Sequence, residues 1–146
     1  MLLLLVHHAD AVGPEIDPQR PLSTPGWAHA AALAERVRET GFVPAAIWHS
    51  GKLRARQTAE PLLALNPFAE FKMVRGLRPD DPPEILRDAL RGETRDLAAV
   101  GHRPHLPALL HLLTGGGDFP LHGAVLLETA DGGMGWAERW RAGAGA

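Results

Sequence analysis

The chain contains no cysteine, which excludes disulfides, thiolate metal sites and cysteine nucleophiles together. It also lacks a surplus of either charge. The formal net charge is −2 over 146 residues, so no global field draws it to nucleic acid or to an anionic membrane, and neither is an expected partner. Any anion it binds must be held by a local cluster of donors. No apolar run reaches about 18 residues, so no transmembrane helix is expected. The opening Met1-Leu2-Leu3-Leu4-Leu5-Val6 is too short for the apolar region of a signal peptide. It has no basic residue before it and runs straight into His7-His8-Ala9-Asp10. It reads as a buried strand, and a cytoplasmic location is expected. Internal repeats and long linkers are absent too. With 45% hydrophobic residues the length fits one core, so a single domain over residues 1–140 is expected, with 141–146 as a frayed tail.

What is present alternates between short apolar strands and helical spacing. Leu2 to Val6 is continuously apolar, as a central strand covered on both faces must be. Pro14, Pro18, Pro21 and Pro25 mark an extended loop. A helix follows with Thr24 as its cap, Pro25 in its first turn, a stripe of Trp27, Ala30, Ala31, Ala34 and Val37, and Gly41 at its end. Ala45 to Trp48 reads as a strand ending at His49-Ser50. Gly51 to Leu65 is helical in pattern, bent or shortened by Pro61. Phe71 to Val74 is a third strand, Pro83 to Leu90 a helix, and Leu97 to Val100 a fourth strand stopping at Gly101-His102. Leu106, Leu109, Leu110 and Leu113 stripe another helix. Ala124 to Leu127 and Met134 to Trp136 flank Asp131-Gly132-Gly133 as a terminal hairpin. The expected architecture is a three-layer α/β/α sandwich on a mainly parallel sheet with a C-terminal hairpin.

Ligands of such sheets bind at the carboxyl ends of the strands. His7-His8, His49-Ser50 before Arg54, and Gly101-His102 all fall at such ends. An imidazole can attack phosphorus and carry the phosphoryl group covalently. The planar fork of Arg54 matches phosphate oxygens, and His102 can donate to oxygens that gain charge in the transition state. One histidine at a strand end is ordinarily structural; three suitable groups at three ends have no structural reason to converge.

The same residues carry a resemblance. Leu5-Val6-His7-His8-Ala9-Asp10, Arg20-Pro21-Leu22-Ser23-Thr24-Pro25-Gly26, Ser50-Gly51-Lys52-Leu53-Arg54-Ala55-Arg56-Gln57-Thr58-Ala59 and Val100-Gly101-His102-Arg103-Pro104 occur in order. They resemble the motifs of the histidine phosphatase (phosphoglycerate-mutase-like) superfamily, and in particular its small bacterial phosphohistidine phosphatases of the SixA type. The resemblance implies a phosphatase working through a covalent phosphohistidine on His8. It implies His102 as a second catalytic histidine, and Arg54, Arg20, Ser50 and the residue at position 7 around the phosphate. It implies no cofactor and no metal, and as substrate a phosphorylated protein or a small phosphate ester.

Position 7 departs from the pattern, because the family has arginine there. Histidine is shorter and offers fewer donors; on the sequence it helps most when protonated, which predicts an acid preference. Gly51 replaces the usual proline, a milder change. Asp80 and Asp81 are the nearest candidates for the carboxylate with which larger members protonate an alcohol leaving group. A phosphohistidine substrate needs no such acid, since imidazole leaves as the conjugate of an acid near pKa 6.5. Two other classes fit the residues: a non-catalytic phosphate-binding module, to which His7 points, and a metal hydrolase built on His7, His8, Asp10, His102 and His105. Against the latter, Arg54 sets a permanent positive charge beside the metal. His49 is read as either a pocket or a structural residue, and His29, His111 and His122 as surface or helix-face residues.

Overall fold

The computed structural model describes residues 1–143. In chain order the elements are β1 Leu2–His7, α1 Thr24–Glu39, β2 Ala46–His49, α2 Leu53–Ala59, β3 Glu70–Met73, α3 Pro83–Arg91, β4 Leu97–Gly101, α4 His105–Thr114, β5 Ala124–Glu128 and β6 Ala137–Ala142. They form a six-stranded sheet in the order β3-β2-β4-β1-β5-β6. The first four of these neighbours pair in parallel, while β5 runs antiparallel to β1 and β6 to β5. The expected α/β architecture is the observed one. Among the described residues no helix is long and apolar enough to cross a membrane.

The apolar opening run is explained by its place. β1 lies between β4 and β5, so its backbone is paired on both edges and its side chains are covered on both faces. Leu3 and Leu5 enter one core with Leu86, Leu90, Leu106, Leu109, Leu110 and Leu113 of α3 and α4. Leu4 and Val6 enter the opposite core with Leu33, Ala34 and Val37 of α1 and Ala55 and Ala59 of α2. Leu3, Leu4 and Leu5 are each fully buried, and burial of one such side chain stabilises by about 1.5–3 kcal/mol. At the other extreme, β3 is an edge strand, and Met73 on it is exposed.

Several boundaries differ from the sequence reading, each for a local reason. The cap of α1 is Ser23 rather than Thr24: its hydroxyl accepts from the Gly26 amide at 3.0 Å and donates to the Asp10 carboxylate at 2.7 Å. Its buried stripe takes Leu33 in place of Trp27 and Ala31, which face outward. Pro61 ends α2 early, and a 3-10 turn, Glu60–Ala64, completes the segment. The second strand of the hairpin is Ala137–Ala142 rather than Met134 to Trp136, because Thr129 and Asp131 close an ordered loop between the strands through bonds to the backbone at Gly133, Met134 and Gly135. Arg141 and Ala142, expected in a frayed tail, therefore belong to β6; residues 144–146 of that tail lie outside the described residues.

Gly26 marks where α1 meets the loop that follows β1. A Cβ added there would lie 2.0 Å from the Asp10 carbonyl oxygen, which is backbone and cannot swing aside. Gly26→Ala is expected to cost about 1–3 kcal/mol, as overpacking does. Urea unfolding of both proteins checks this, and an unchanged midpoint would mean that the loop yields freely.

Candidate active site

The site begins with a register. β1 and β4 pair so that Val6 lies beside Val100 and His7 beside Gly101, and the His8 amide donates to the Gly101 carbonyl at 3.0 Å. The next residue on each strand is therefore His8 and His102, whose ring centroids stand 5.1 Å apart. β2, the other neighbour of β4, ends just before Ser50, whose hydroxyl lies 2.6 Å from His102 Nε2. Arg54 follows on α2. Its Nε and His102 Nδ1 are both buried, and neither has a hydrogen-bond partner among the described residues. Leaving such donors unpaired is costly, so both call for a ligand.

Backbone partners set the protons on the rings. His8 Nδ1–H donates to the Ala9 carbonyl at 2.7 Å, which leaves Nε2 with its lone pair. The Lys52 amide donates to Ser50 Oγ at 3.3 Å, and we assign the hydroxyl proton to His102 Nε2, which places the proton of His102 on Nδ1. His7 Nδ1 accepts the His122 amide at 2.7 Å, so its proton sits on Nε2. His122 in turn donates from Nδ1 to the His8 carbonyl at 2.7 Å, and its ring stacks on His7 at 4.9 Å and 4°.

Burial holds His7, His8 and His102 neutral. It is the first cause lowering His7 to about 3, with the charges of His8, His122, Arg103 and Arg54 adding to it. Burial likewise lowers His8 to about 4 against the opposing pull of its bond to Ala9, with Arg54, His122 and Arg20 assisting. His102 falls to about 2 through burial, then through His8, Arg54, Lys52 and His7. Burial and Arg20 lower Arg54 as well. The standing charges named here, those of Arg20, Arg54, Arg103 and Lys52, are all cationic, the setting that favours the charged form of an anion. The acid preference expected of His7 does not follow from this geometry. With Nδ1 occupied by an amide, His7 offers its Nε2–H as a neutral ring.

The motif residues around the histidines hold loops in place. Thr58 accepts from the Ala9 amide at 2.9 Å and donates to the Arg54 carbonyl at 2.7 Å, and Gln57 accepts from the Leu22 amide at 2.8 Å. Arg20, in the left-handed region at φ 51°, donates to the Val12 carbonyl at 3.0 Å and acts by charge on His8 and Arg54. Ser50, expected to touch phosphate, has its hydroxyl engaged with His102. His49 accepts from the Gly51 amide and packs on Phe71. His105 is buried on α4 with neither ring nitrogen partnered, and the charge acting on it is that of Asp81. Asp81 lines a groove of about 770 Å³ with Ser50, Arg75, Arg78 and Ile85. His29 lies on α1 and His111 near the end of α4, as expected of helix-face residues.

His122 is the residue that the sequence reading missed. Its signal is topological: β5 runs antiparallel to β1 with Ala124 beside Val6, so the start of β5 lies where β1 ends. A histidine just before an antiparallel strand thus reaches the same sheet edge as histidines just after parallel ones.

Comparison with known proteins bears on the family and on the fold. The family model of the histidine phosphatase superfamily (branch 1) matches residues 7–79, half of the chain. The structure is similar to that of the protein histidine phosphatase SixA complexed with tungstate, at 19% identity over 97% of this chain and 96% of that one, with a TM-score of 0.80. It is similar to a putative phosphohistidine phosphatase SixA from Agrobacterium tumefaciens, at 21% identity, the same coverage and a TM-score of 0.80. A phosphoglycerate mutase from Plasmodium falciparum shares 14% identity over 95% of this chain and 88% of that one, with a TM-score of 0.71. At these identities the structural likeness speaks for the fold. A search by sequence among curated proteins finds no match.

The buried rings predict how stability depends on pH. A histidine with a lowered folded-state value adds stability above its unfolded value near 6.5, and that stability is lost as the pH falls toward the folded value. For His7 at about 3 and His102 at about 2, the window opens below pH 6.5 and runs down to those values. One such histidine costs about 2 kcal/mol between pH 6.5 and pH 5. Thermal unfolding is expected to shift downward over that range, and less so with phosphate bound. A flat profile would show that the rings take up protons freely in the folded state.

Proposed function

We propose that this chain, which belongs to the histidine phosphatase superfamily and is a phosphatase by family, removes phosphoryl groups from phosphohistidine through a covalent intermediate on His8. The observation that carries the proposal is the bond from His8 Nδ1 to the Ala9 carbonyl, which frees Nε2 to act as nucleophile beside two buried donors lacking partners, His102 Nδ1 and Arg54 Nε. With the substrate ring protonated from solvent, Nε2 attacks phosphorus in line, the bond from phosphorus to the substrate ring breaks, and the substrate departs as neutral imidazole. Because the Ala9 carbonyl keeps a proton on Nδ1, the phosphorylated ring of His8 stays an imidazolium and is a good leaving group. Water then attacks phosphorus, the bond to Nε2 breaks, and phosphate departs. His102, Arg54 and the Nε2–H of His7 are assigned to the phosphoryl oxygens, with Arg20 at the rim and Ser50 positioning His102. Nothing in this scheme calls on a metal or cofactor.

The substrate class rests on leaving-group chemistry. The charges acting most strongly on His8 and His102 include no carboxylate, and Asp81, which accepts the Arg78 amide at 3.0 Å, is not among them. An imidazole departs without a positioned acid, whereas an alkoxide does not. The groove beside Ser50 supports a phosphorylated protein segment as substrate.

His8→Ala is expected to abolish turnover of a phosphohistidine peptide, and His102→Ala to lower kcat by about 10²–10³, the usual worth of a preorganised transition-state donor. The wild type is expected to prefer phosphohistidine over a phosphoserine peptide of the same sequence in kcat/KM. The reverse order would make it a phosphomonoesterase, and retained activity in His8→Ala would remove the mechanism.

A further inference from the structure

The geometry points to His122 as a further phosphate-binding residue, one that takes up a proton when the anion enters and donates it to a phosphoryl oxygen. The inference rests on the phosphatase reading above. Four observations meet at this residue. Its backbone is held in the left-handed region at φ 50°, one of two such non-glycine residues among those described, the other being Arg20 at φ 51°. Both lie at the site, and strain of this kind persists where the surroundings over-determine it. Its amide fixes the proton of His7 on Nε2, and its own Nδ1–H is spent on the His8 carbonyl. Its ring is stacked on that of His7. Finally, one ring nitrogen of each of His7, His8 and His122 lies within 4.8 Å of the other two.

Such a cluster could in principle hold a cation or an anion. The proton positions decide. A metal needs a lone pair from each histidine, but the one exposed by His7 is already taken by an amide, and its Nε2 carries hydrogen. The groups that bear on the cluster are Arg54 from α2, Arg20 from the loop after β1 and Arg103 from the turn after β4. Three cations around three rings oppose a further cation and favour an anion.

His122 enters an anion complex differently from its neighbours. His7 and His102 already present N–H donors, and His8 must keep its lone pair for phosphorus. The nitrogen left to His122 is Nε2, which is bare in the neutral ring and would meet a phosphoryl oxygen lone pair against lone pair. A proton from solvent on Nε2 turns that repulsion into a charge-assisted hydrogen bond and leaves the Nδ1 bond to His8 untouched. The side-by-side placement of His122 and His8 suits a non-bridging oxygen, because the leaving group of an in-line displacement departs from the side opposite to Nε2 of His8. His7 and His122 together then supply two of the donors that the family's arginine would supply alone.

Vanadate is the probe, since by the proposed mechanism it bonds to Nε2 of His8 and leaves that ring no proton to gain. Nitrogen-15 histidine NMR of the whole protein reads the state of every ring in the free and vanadate-bound forms. His122 is expected to change from neutral with Nδ1–H to doubly protonated, while His7 keeps Nε2–H in both. His122→Asn tolerates the left-handed backbone, keeps the amide for His7 and places an N–H near the His8 carbonyl, but has no second ring nitrogen. It is expected to weaken vanadate inhibition by about tenfold to a hundredfold and to reduce the loss of inhibition as pH rises. A His122 ring in the same protonation state in both forms overturns the inference, as does His122→Asn inhibited as tightly as the wild type. If the wild type binds no vanadate, the phosphatase reading itself fails and takes this inference with it.

Discussion

The parallel pairing of β1 with β4, which sets Val6 beside Val100 and His7 beside Gly101, is the contact on which every other part of the site depends. It places His8 and His102 at neighbouring strand ends, though much of the chain separates them in sequence. The pairing is a ladder of backbone hydrogen bonds whose register is fixed by leucines and alanines packed on both faces of the sheet, since β1 and β4 are buried almost throughout. A shift of one residue would turn each strand's side chains to the wrong core and part the two histidines. The chemistry is thus anchored in the two hydrophobic cores.

Once the strand ends are fixed, main-chain groups organise the rings. The Ala9 and His8 carbonyls, the His122 amide and the bond from His8 to Gly101 hold three histidines in defined proton states without a single carboxylate. That matters because a carboxylate beside these rings would raise their affinity for protons and repel phosphate. Burial and neighbouring cations instead keep His7 and His8 neutral while the pocket stays receptive to an anion. A histidine at position 7 is workable in this frame because its second nitrogen has a backbone partner that dictates which edge faces the pocket.

Much of this was legible in the sequence, and for identifiable reasons. The apolar run of β1, the stripe of Leu106, Leu109, Leu110 and Leu113, and the turns at His49-Ser50 and Gly101-His102 are local patterns, and each predicts one element. His8, Arg54 and His102 could be grouped because parallel strands all present the same end to a ligand. The left-handed turn that brings His122 into place was not legible, because it depends on β5 pairing antiparallel with β1, a contact between the two ends of the chain. The engagement of Ser50 with His102 and the stacking of His7 on His122 were hidden for the same reason: each is a tertiary contact between residues far apart in sequence. Local boundaries slipped where two residues compete for one role, as Ser23 and Thr24 do at the cap of α1.

The most direct test of the account is to map the phosphoryl group during a single turnover. Protein mixed with a phosphohistidine peptide, quenched in alkali and digested, is read by mass spectrometry for the site of added phosphate. The account predicts transient phosphorylation of His8, labile to acid and formed no more slowly than the peptide is dephosphorylated. Phosphate on any other residue, or a complete turnover in which no phosphorylated protein forms, would contradict it.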